Sequence, residues 1–510
     1  MAEPDILALH AEAQPDKLAL ILDDRRLTYA ELNRRANRAA HGLRRLGMRP
    51  GDRVASMSLN SIEGFEMAHA HRKTGVVGVP INFRLRAAEV AHVLNDSGAR
   101  AVFAGPDFVP VIEAALPALE ARPVLVAYRG GGASGWLDYG ELLAAEPETN
   151  FERAGESGLG ATMIYTSGTT GRPKGAFRRA GFPVEAALEA IQVFGLTPED
   201  VHLMAGPGYH SAVAFFGALT SVLAATIAIL PRFDAERALQ VIERDRVSTT
   251  FMAPTLLRRI MDLPEAVRAG YDVSSLRALI LGAAPCPFEL KERAVGYFGE
   301  VLWEFYGATE TGVNLVLRPE EQLSHPGSAG RPSPSSEVLL LDAEGHPVPE
   351  GTPGRLWVRG ASLAEYHNNP DATQASMRDG FFSVGDIAYR DGDGYYHICD
   401  RAVDMIISGG VNIYPAEIEA GLAAHPAVRD VAVIGVPDDE WGEAVKAIVE
   451  LQPGASVSQD DLIAWCRERL AGYKRPRSVD FVEALPRGLD GKLHKRELRE
   501  KYWAGAGRRV

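Results

Sequence analysis

Tyr165-Thr166-Ser167-Gly168-Thr169-Thr170-Gly171-Arg172-Pro173-Lys174-Gly175 gathers glycines, short hydroxyl side chains and one lysine into a single run. Gly168, Gly171 and Gly175 reach backbone angles closed to other residues, so amide N–H groups converge on an anion with no Cβ in the way. Ser167, Thr169 and Thr170 add short donors, and Lys174 adds positive charge. The preceding Ala161-Thr162-Met163-Ile164-Tyr165 reads as a buried strand that delivers the loop to the C-terminal edge of a sheet, where open α/β sheets bind ligands. The run is not a Walker A loop, because Lys174 is followed by Gly175 and no hydroxyl stands there to hold magnesium. Composition alone leaves a polar Gly/Thr turn that happens to contain a lysine as the alternative.

The chain has 510 residues, a net charge of -13, 46% hydrophobic and 24% charged residues. That length exceeds what one core usually serves, so more than one domain is expected. The acidic balance disfavours a general nucleic-acid surface and points to small-molecule partners. Cys286, Cys399 and Cys466 show neither Cys-x-x-Cys nor Cys/His spacing, so no disulfide framework or structural zinc is implied. The acidic start, Met1 to Asp5, lacks the basic and apolar segments of a signal peptide, so a cytoplasmic location is expected. Gly217 to Leu230 is short for a membrane span and carries Thr220, Ser221 and Thr226; it reads as a buried helix running into a strand, with no integral membrane segment.

Along the first part, helical and extended patterns alternate. Thr28-Tyr29-Ala30-Glu31 spells a capping box ahead of Leu32, Ala36, Ala39, Ala40 and Leu43, and Gly47 stops that helix. Arg53 to Leu59 reads as a strand, Ser61 to His71 as a helix, Val76 to Ile81 as a strand, Ala87 to Leu94 as a helix and Ala101 to Ala104 as a strand. Such alternation implies a largely parallel, doubly wound sheet. Gly130-Gly131-Gly132-Ala133-Ser134-Gly135 satisfies Gly-x-Gly-x-x-Gly after the strand-like Val124 to Val126, but Trp136-Leu137-Asp138-Tyr139 opens no amphipathic helix. A flexible surface loop is the better reading, and a dehydrogenase rests on nothing else.

Four further turns present chemistry-bearing residues. Ala205-Gly206-Pro207-Gly208-Tyr209-His210 offers an aromatic and a histidine, although a core histidine is an equal alternative. Ala278-Leu279-Ile280-Leu281-Gly282-Ala283-Ala284-Pro285 is a strand ending in small residues, against which a flat ring fits. Val301 to Glu310 repeats that design, closing on Tyr306-Gly307-Ala308-Thr309-Glu310. Ile387 to Tyr389 and Tyr395 to Ile398 form a hairpin across Asp391-Gly392-Asp393-Gly394, which lacks the spacing of a calcium loop. Met405 to Pro415 reads as a strand turning into a helix with Pro415 in its first turn. Val431 to Ile434, Lys446 to Glu450 and the helix Asp461 to Leu470 make a small α+β unit that ends in Leu485-Pro486-Arg487-Gly488-Leu489-Asp490-Gly491-Lys492-Leu493.

In their wording and order, these motifs resemble the adenylate-forming superfamily in its acyl-CoA synthetase, carboxylate–CoA ligase branch, from about Leu7 to Arg499. The resemblance implies an α/β fold: a large N-terminal domain of doubly wound, mostly parallel sheets over 1–400, and a small mobile α+β C-terminal domain over 401–510. It also implies ATP, Mg²⁺ and CoA. Thr166, Ser167, Gly168, Thr169, Thr170 and Lys174 would hold phosphates, and Glu310 the magnesium, since a hard cation wants oxygen ligands. Thr309 would donate to a phosphate. The turn Gly282, Ala283, Ala284, Pro285 would meet the adenine and the acyl group, Tyr306 would stack on the adenine, and Glu304, Gly307 and Ile398 are further implied cofactor-binding residues. Asp386 would accept from the ribose hydroxyls, with Val384 where the family usually has threonine. Arg401 would lie near the ribose and α-phosphate, with Val403 in place of the usual Asp or Lys hinge residue. Gly409 and Gly410 would line the pantetheine tunnel.

Tyr209, His210, Val213, Phe215, Phe216 and Gly307 are the implied carboxylate pocket, with helix Ser211 to Ala218 opening beside it. Lys492 is the implied adenylation lysine, in a variant spelling at Gly488-Leu489-Asp490. The implied reaction activates a fatty or aromatic carboxylic acid as acyl-AMP with pyrophosphate release, then transfers the acyl group to CoA. The absence of a carrier region after Lys492 favours a free thiol acceptor. An amide-forming synthetase with an amine acceptor and a non-catalytic nucleotide-binding regulator are the alternatives. The particular acid stays open, as does the oligomeric state, a homodimer being one alternative.

Overall fold

The computed structural model describes residues 5–130, 134–151, 160–166, 173–178, 181–360, 362–401, 404–408, 411–438, 441–467, 469–470, 472–488 and 493–503. Two large sheets form the body. In the first, the strands Leu18–Leu22, Thr226–Ile229, Val201–Met204, Thr249–Met252, Ala278–Leu281 and Leu302–Ala308 run parallel, and antiparallel strands Arg25–Thr28 and Gly312–Leu317 flank them. In the second, Thr162–Thr166, Val77–Pro80, Arg53–Met57, Ala101–Ala104, Val124–Ala127 and Leu137–Asp138 are parallel, and Lys174–Arg178 closes one side antiparallel.

Inner strands such as Thr226–Ile229, Thr249–Met252 and Ala278–Leu281 are buried on both faces, as their continuous apolar runs require. The expected helices form between them. Thr28 and Glu31 complete both halves of the capping box, with Glu31 N donating to Thr28 Oγ1 at 3.2 Å and Thr28 N to Glu31 Oε2 at 2.8 Å. Helix Ile62–Thr74 is capped by Ser61. The greasy stretch is helix Ser211–Val222 followed by Thr226–Ile229, and no helix among the described residues is long and apolar enough to cross a membrane.

A third, antiparallel sheet carries Glu337–Leu341, Gly354–Arg359, Asp386–Arg390 and Tyr396–Arg401. Arg401 is the register partner of Asp386, so the backbone at 400–401 belongs to this sheet. Beyond it the pairing changes. Val428–Asp438, Gly442–Leu451 and Ser478–Val482 form a separate three-stranded sheet around Ile418, Leu422, Val433 and Val449.

Two readings are corrected. The stretch Met405 to Pro415 is not one strand entering a helix: Ile406–Ser408 and Val411–Ile413 pair antiparallel before helix Pro415–Ala423. Alternating apolar residues conceal such a reversal, because both arms share the same periodicity. A helix, Tyr139–Ala144, also does follow the glycine run, capped by Asp138 and burying Tyr139, Leu142 and Leu143. Its six residues are too few for an amphipathic repeat to show. Asp138 additionally accepts from Gly130 N at 3.1 Å.

Candidate active site

Strands Thr162–Thr166 and Lys174–Arg178 pair antiparallel on either side of the glycine- and hydroxyl-rich run. Thr166 and Lys174 are register partners at its base, so the lysine stands on the returning strand rather than at the start of a helix. Ser167, Gly168, Thr169 and Thr170 lie outside the described residues, as do Gly409, Gly410 and Lys492. The ammonium of Lys174 lies 5.2 Å from the centre of the Tyr366 ring. Tyr366 donates to Glu310 Oε1 at 3.0 Å, and Thr166 Oγ1 reaches the same oxygen at 3.4 Å. The two sheets therefore meet at Glu310, which is 6% exposed.

Three contacts fix the turn that bears Glu310. Ala364 N donates to Glu310 O at 2.8 Å, and Ser211 Oγ and Thr309 Oγ1 are 2.9 Å apart, which brings the His210 turn against the acidic one. Arg178, at the end of the returning strand, donates from Nη2 to Thr309 O at 2.5 Å and Ser362 O at 3.0 Å, and from Nε to Ser362 Oγ at 3.1 Å. Burial pushes its guanidinium down to about 10, with the charge on Glu310 pulling the other way. The sequence reading missed Arg178, Ser362 and Tyr366. Arg178 left one signal, a charge closing the otherwise apolar Ala176-Phe177 pair.

At the end of strand Leu302–Ala308, the Tyr306 hydroxyl donates to Asp386 Oδ2 at 2.5 Å, and Tyr306 and Ile398 both pack against the cluster of Leu356, Val358 and Ala388. Gly307 must be glycine here, since a Cβ would lie 1.9 Å from Gly312 O. Ala283 takes a left-handed φ of 70°, so the turn Gly282 to Pro285 departs from what alanine prefers. Ala283 and Pro285 are exposed, whereas Glu304 beneath them is buried and ion-paired with Lys291.

Tyr209 sits against Phe83 with ring centres 5.1 Å apart, and His210 lies 4.5 Å from Tyr209. Buried Asn60 holds their turn: its Nδ2 donates to Gly206 O at 2.8 Å and Leu230 O at 2.9 Å, while Gly208 N donates to Oδ1 at 2.7 Å. Of the three residues expected to line the pocket from helix Ser211–Val222, Phe215 faces a crevice with Phe182, Thr311, Val313 and Ser362. Phe216 does not: it is 0% exposed, packed among Phe194, Phe251 and Phe305. Val213 is buried against the backbone at Gly206. Successive residues of one helix point about 100° apart, so adjacent phenylalanines cannot serve the same surface.

In the small unit, Arg487 pairs in two-pronged fashion with Asp430, at 2.5 and 2.8 Å, and bridges to Leu493.

Glycine-bearing turns at the C-terminal ends of parallel strands, with a carboxylate, hydroxyls and a lysine converging between two sheets, define a nucleotide-handling α/β protein. The chain belongs to the AMP-binding enzyme family, matched over residues 7–366, with the C-terminal domain of AMP-binding enzymes matched over 417–492. It is 40% identical over 479 residues to a feruloyl-CoA synthase of Amycolatopsis sp, covering 93% of this chain and 94% of that one. It is 37% identical to a long-chain fatty acid–CoA ligase of Mycobacterium tuberculosis, over 94% of each chain. The crystal structure of an anthranilate CoA ligase in complex with anthranoyl-AMP superposes with a TM-score of 0.90 at 28% identity, covering 99% of this chain and 98% of that one.

Proposed function

We propose that this protein is an AMP-forming acid–thiol ligase that activates a fatty or aromatic carboxylic acid as an acyl-adenylate and passes the acyl group to CoA. A carboxylate resists attack because oxide would have to leave. Joining it to the α-phosphorus of ATP makes AMP the eventual leaving group, and pyrophosphate departs. The obstacle is the meeting of two anions. Lys174, Thr166 and the loop amides would neutralise phosphate charge, and Lys492 would stabilise charge developing at the α-phosphate. Tyr306 and Asp386 would hold the nucleoside, and the His210 turn the carboxylate.

The oxygen-only grouping of Glu310 Oε1 and Thr166 Oγ1, 3.4 Å apart and sheltered, fits a hard divalent cation such as Mg²⁺. When bound, that cation would supply further charge neutralisation.

The observation that carries the reading is the convergence of both sheets on Glu310 beside Lys174. The division into 1–400 and 401–510, with the second domain turning to bring residues 409–410 to the adenylate for thiol attack, rests on the family match and on the change of sheet pairing after Arg401. ATP, CoA and an acid as the small-molecule partners, and a cytoplasmic place, complete the proposal. Pyrophosphate release from ATP with a panel of aromatic and fatty acids tests it, followed by CoA-dependent thioester formation. No release with any acid would overturn the activity. Product formed from amines but not from CoA would overturn the thiol half.

A further inference from the structure

Helix Val184–Val193 turns Ala186, Glu189, Ala190 and Val193 toward the crevice that Phe215 faces. Their spacing is that of an apolar helical stripe, and Glu189 stands in it where an apolar residue is expected. The carboxylate is half-buried, yet among the described residues it has neither a hydrogen bond nor an ion pair. One end of the crevice adjoins the turn that would activate the acid: Phe215 follows Ser211 by one helical turn, roughly 6 Å along the axis, and Ser211 is tied to Thr309. At the other end, Glu189 and Val193 also line a surface groove with Leu188 and Arg318, which puts Glu189 at the mouth. Between the two, the rings of Phe182 and Phe215, with centres 4.6 Å apart, offer an apolar wall.

The hydroxyls of the lining have spent their hydrogens inside the protein. Thr311 Oγ1 donates to Asn314 Oδ1 at 2.6 Å, Ser333 Oγ to Ser336 Oγ at 2.9 Å, and Ser336 Oγ to Val313 O at 3.4 Å. What these three keep for a guest is lone pairs, and an ionised carboxylate likewise only accepts. Ser362 is the exception, but Arg178 ties it to Thr309, at the root of the crevice and away from the mouth.

We propose that Glu189 is a specificity-determining residue that reads the far end of the acid, and that the preferred substrates carry a hydroxyl or amino group at the end remote from the carboxylate. The apolar lining takes the body of such an acid, and Glu189 accepts the hydrogen at its tip. An unsubstituted acid of the same length would take water from the carboxylate and return no donor, so it is disfavoured. This rests on the proposed function, in which the acid is seated at the His210 turn, and it narrows the fatty or aromatic acids of that reading to those with a terminal donor.

The test uses matched acids: arylpropenoic acids with and without a para hydroxyl or amino group, and straight-chain acids of graded length with and without a terminal hydroxyl. The unaltered protein should favour the donor-bearing member of at least one pair by roughly tenfold in kcat/KM for pyrophosphate release, the size of a hydrogen bond to a charged group at a half-buried site. Glu189→Leu restores the apolar stripe and should fold; it should bring that ratio to within about threefold while activity on the unsubstituted acid is kept. Pyrophosphate released equally from both members of every pair would leave the proposed activity standing and overturn this inference, as would a preference that survives in Glu189→Leu. Calorimetric titration of the same acids in the presence of a non-hydrolysable ATP analogue separates the two readings. Preferential binding of the donor-bearing acid, lost in Glu189→Leu, with no pyrophosphate released would sink the activity and support the inference; neither binding nor release with any pair would overturn both.

Discussion

The body and the small C-terminal unit hold their reactive groups in different ways. In the crevice of the body, Glu310 is fixed by contacts from Thr166, Tyr366 and Ala364, and the neighbouring Thr309 is tied to Ser211 and Arg178. In the small unit, the segment leading to Lys492 is fastened at its root, by Arg487 to Asp430 and Leu493. Groups held from several elements cost little to reorganise when charge develops, which suits a binding site used in both half-reactions. The proposed role of Lys492, to act in one half-reaction and then withdraw, calls for no such many-sided hold.

If this contrast is functional, changes in the two regions should separate the half-reactions. Lys492→Ala should lower adenylation by roughly 10³-fold while thioester formation from supplied acyl-adenylate stays largely intact. Pyrophosphate release and thioester assays run side by side check this, and equal loss in both would erase the distinction. Asp386→Ala, in the body, should instead weaken both half-reactions, by about 10–100-fold, through loss of a charged acceptor for the nucleoside. An adenylate-binding titration would report the same factor.

Arg178→Met should leave the carbonyls of Thr309 and Ser362 without their donor. It should lower adenylation by about tenfold and stability by about 2 kcal/mol, read by pyrophosphate release and denaturant melts. A stability loss with undiminished adenylation would mean that the Glu310 turn does not depend on this clamp.

The remaining expected effect leaves the chemistry untouched and concerns the body away from the site. Burial pushes His202 down to about 4, whereas an unfolded histidine titrates near 6.5. Between those values the unfolded chain binds the extra proton, so stability falls as pH drops from about 6.5 to 4, by roughly 3 kcal/mol for this group. The stabilisation is fully present above that window. His202→Gln should flatten this part of the pH–stability curve, and an unchanged slope would show that His202 is not responsible.

Much of this was legible in one dimension. The capping box at Thr28, the alternation of strands and helices, and the turns at Gly282 and Tyr306 are local devices whose spelling fixes their shape. Phe216 shows the limit: it stands beside Phe215 in the chain, and only the way the helix is seated against the sheets sends one to the core and the other to the crevice. Asn60, Arg178 and Lys291 went unread for the same reason. Each acts through residues more than ten positions away, at Gly208, Thr309 and Glu304, and a polar residue in a plain segment carries no local sign of its distant partner.

The sequence by itself determined the class of fold and the strands and helices that frame the site, because backbone freedom, capping and apolar period are short-range properties. The tertiary structure alone decided that two sheets meet at one carboxylate, that antiparallel strands flank the glycine-rich run with its lysine on the returning one, and that Glu304 faces a buried lysine. Those facts depend on which surfaces exclude water together, and that is settled only when the whole chain has packed.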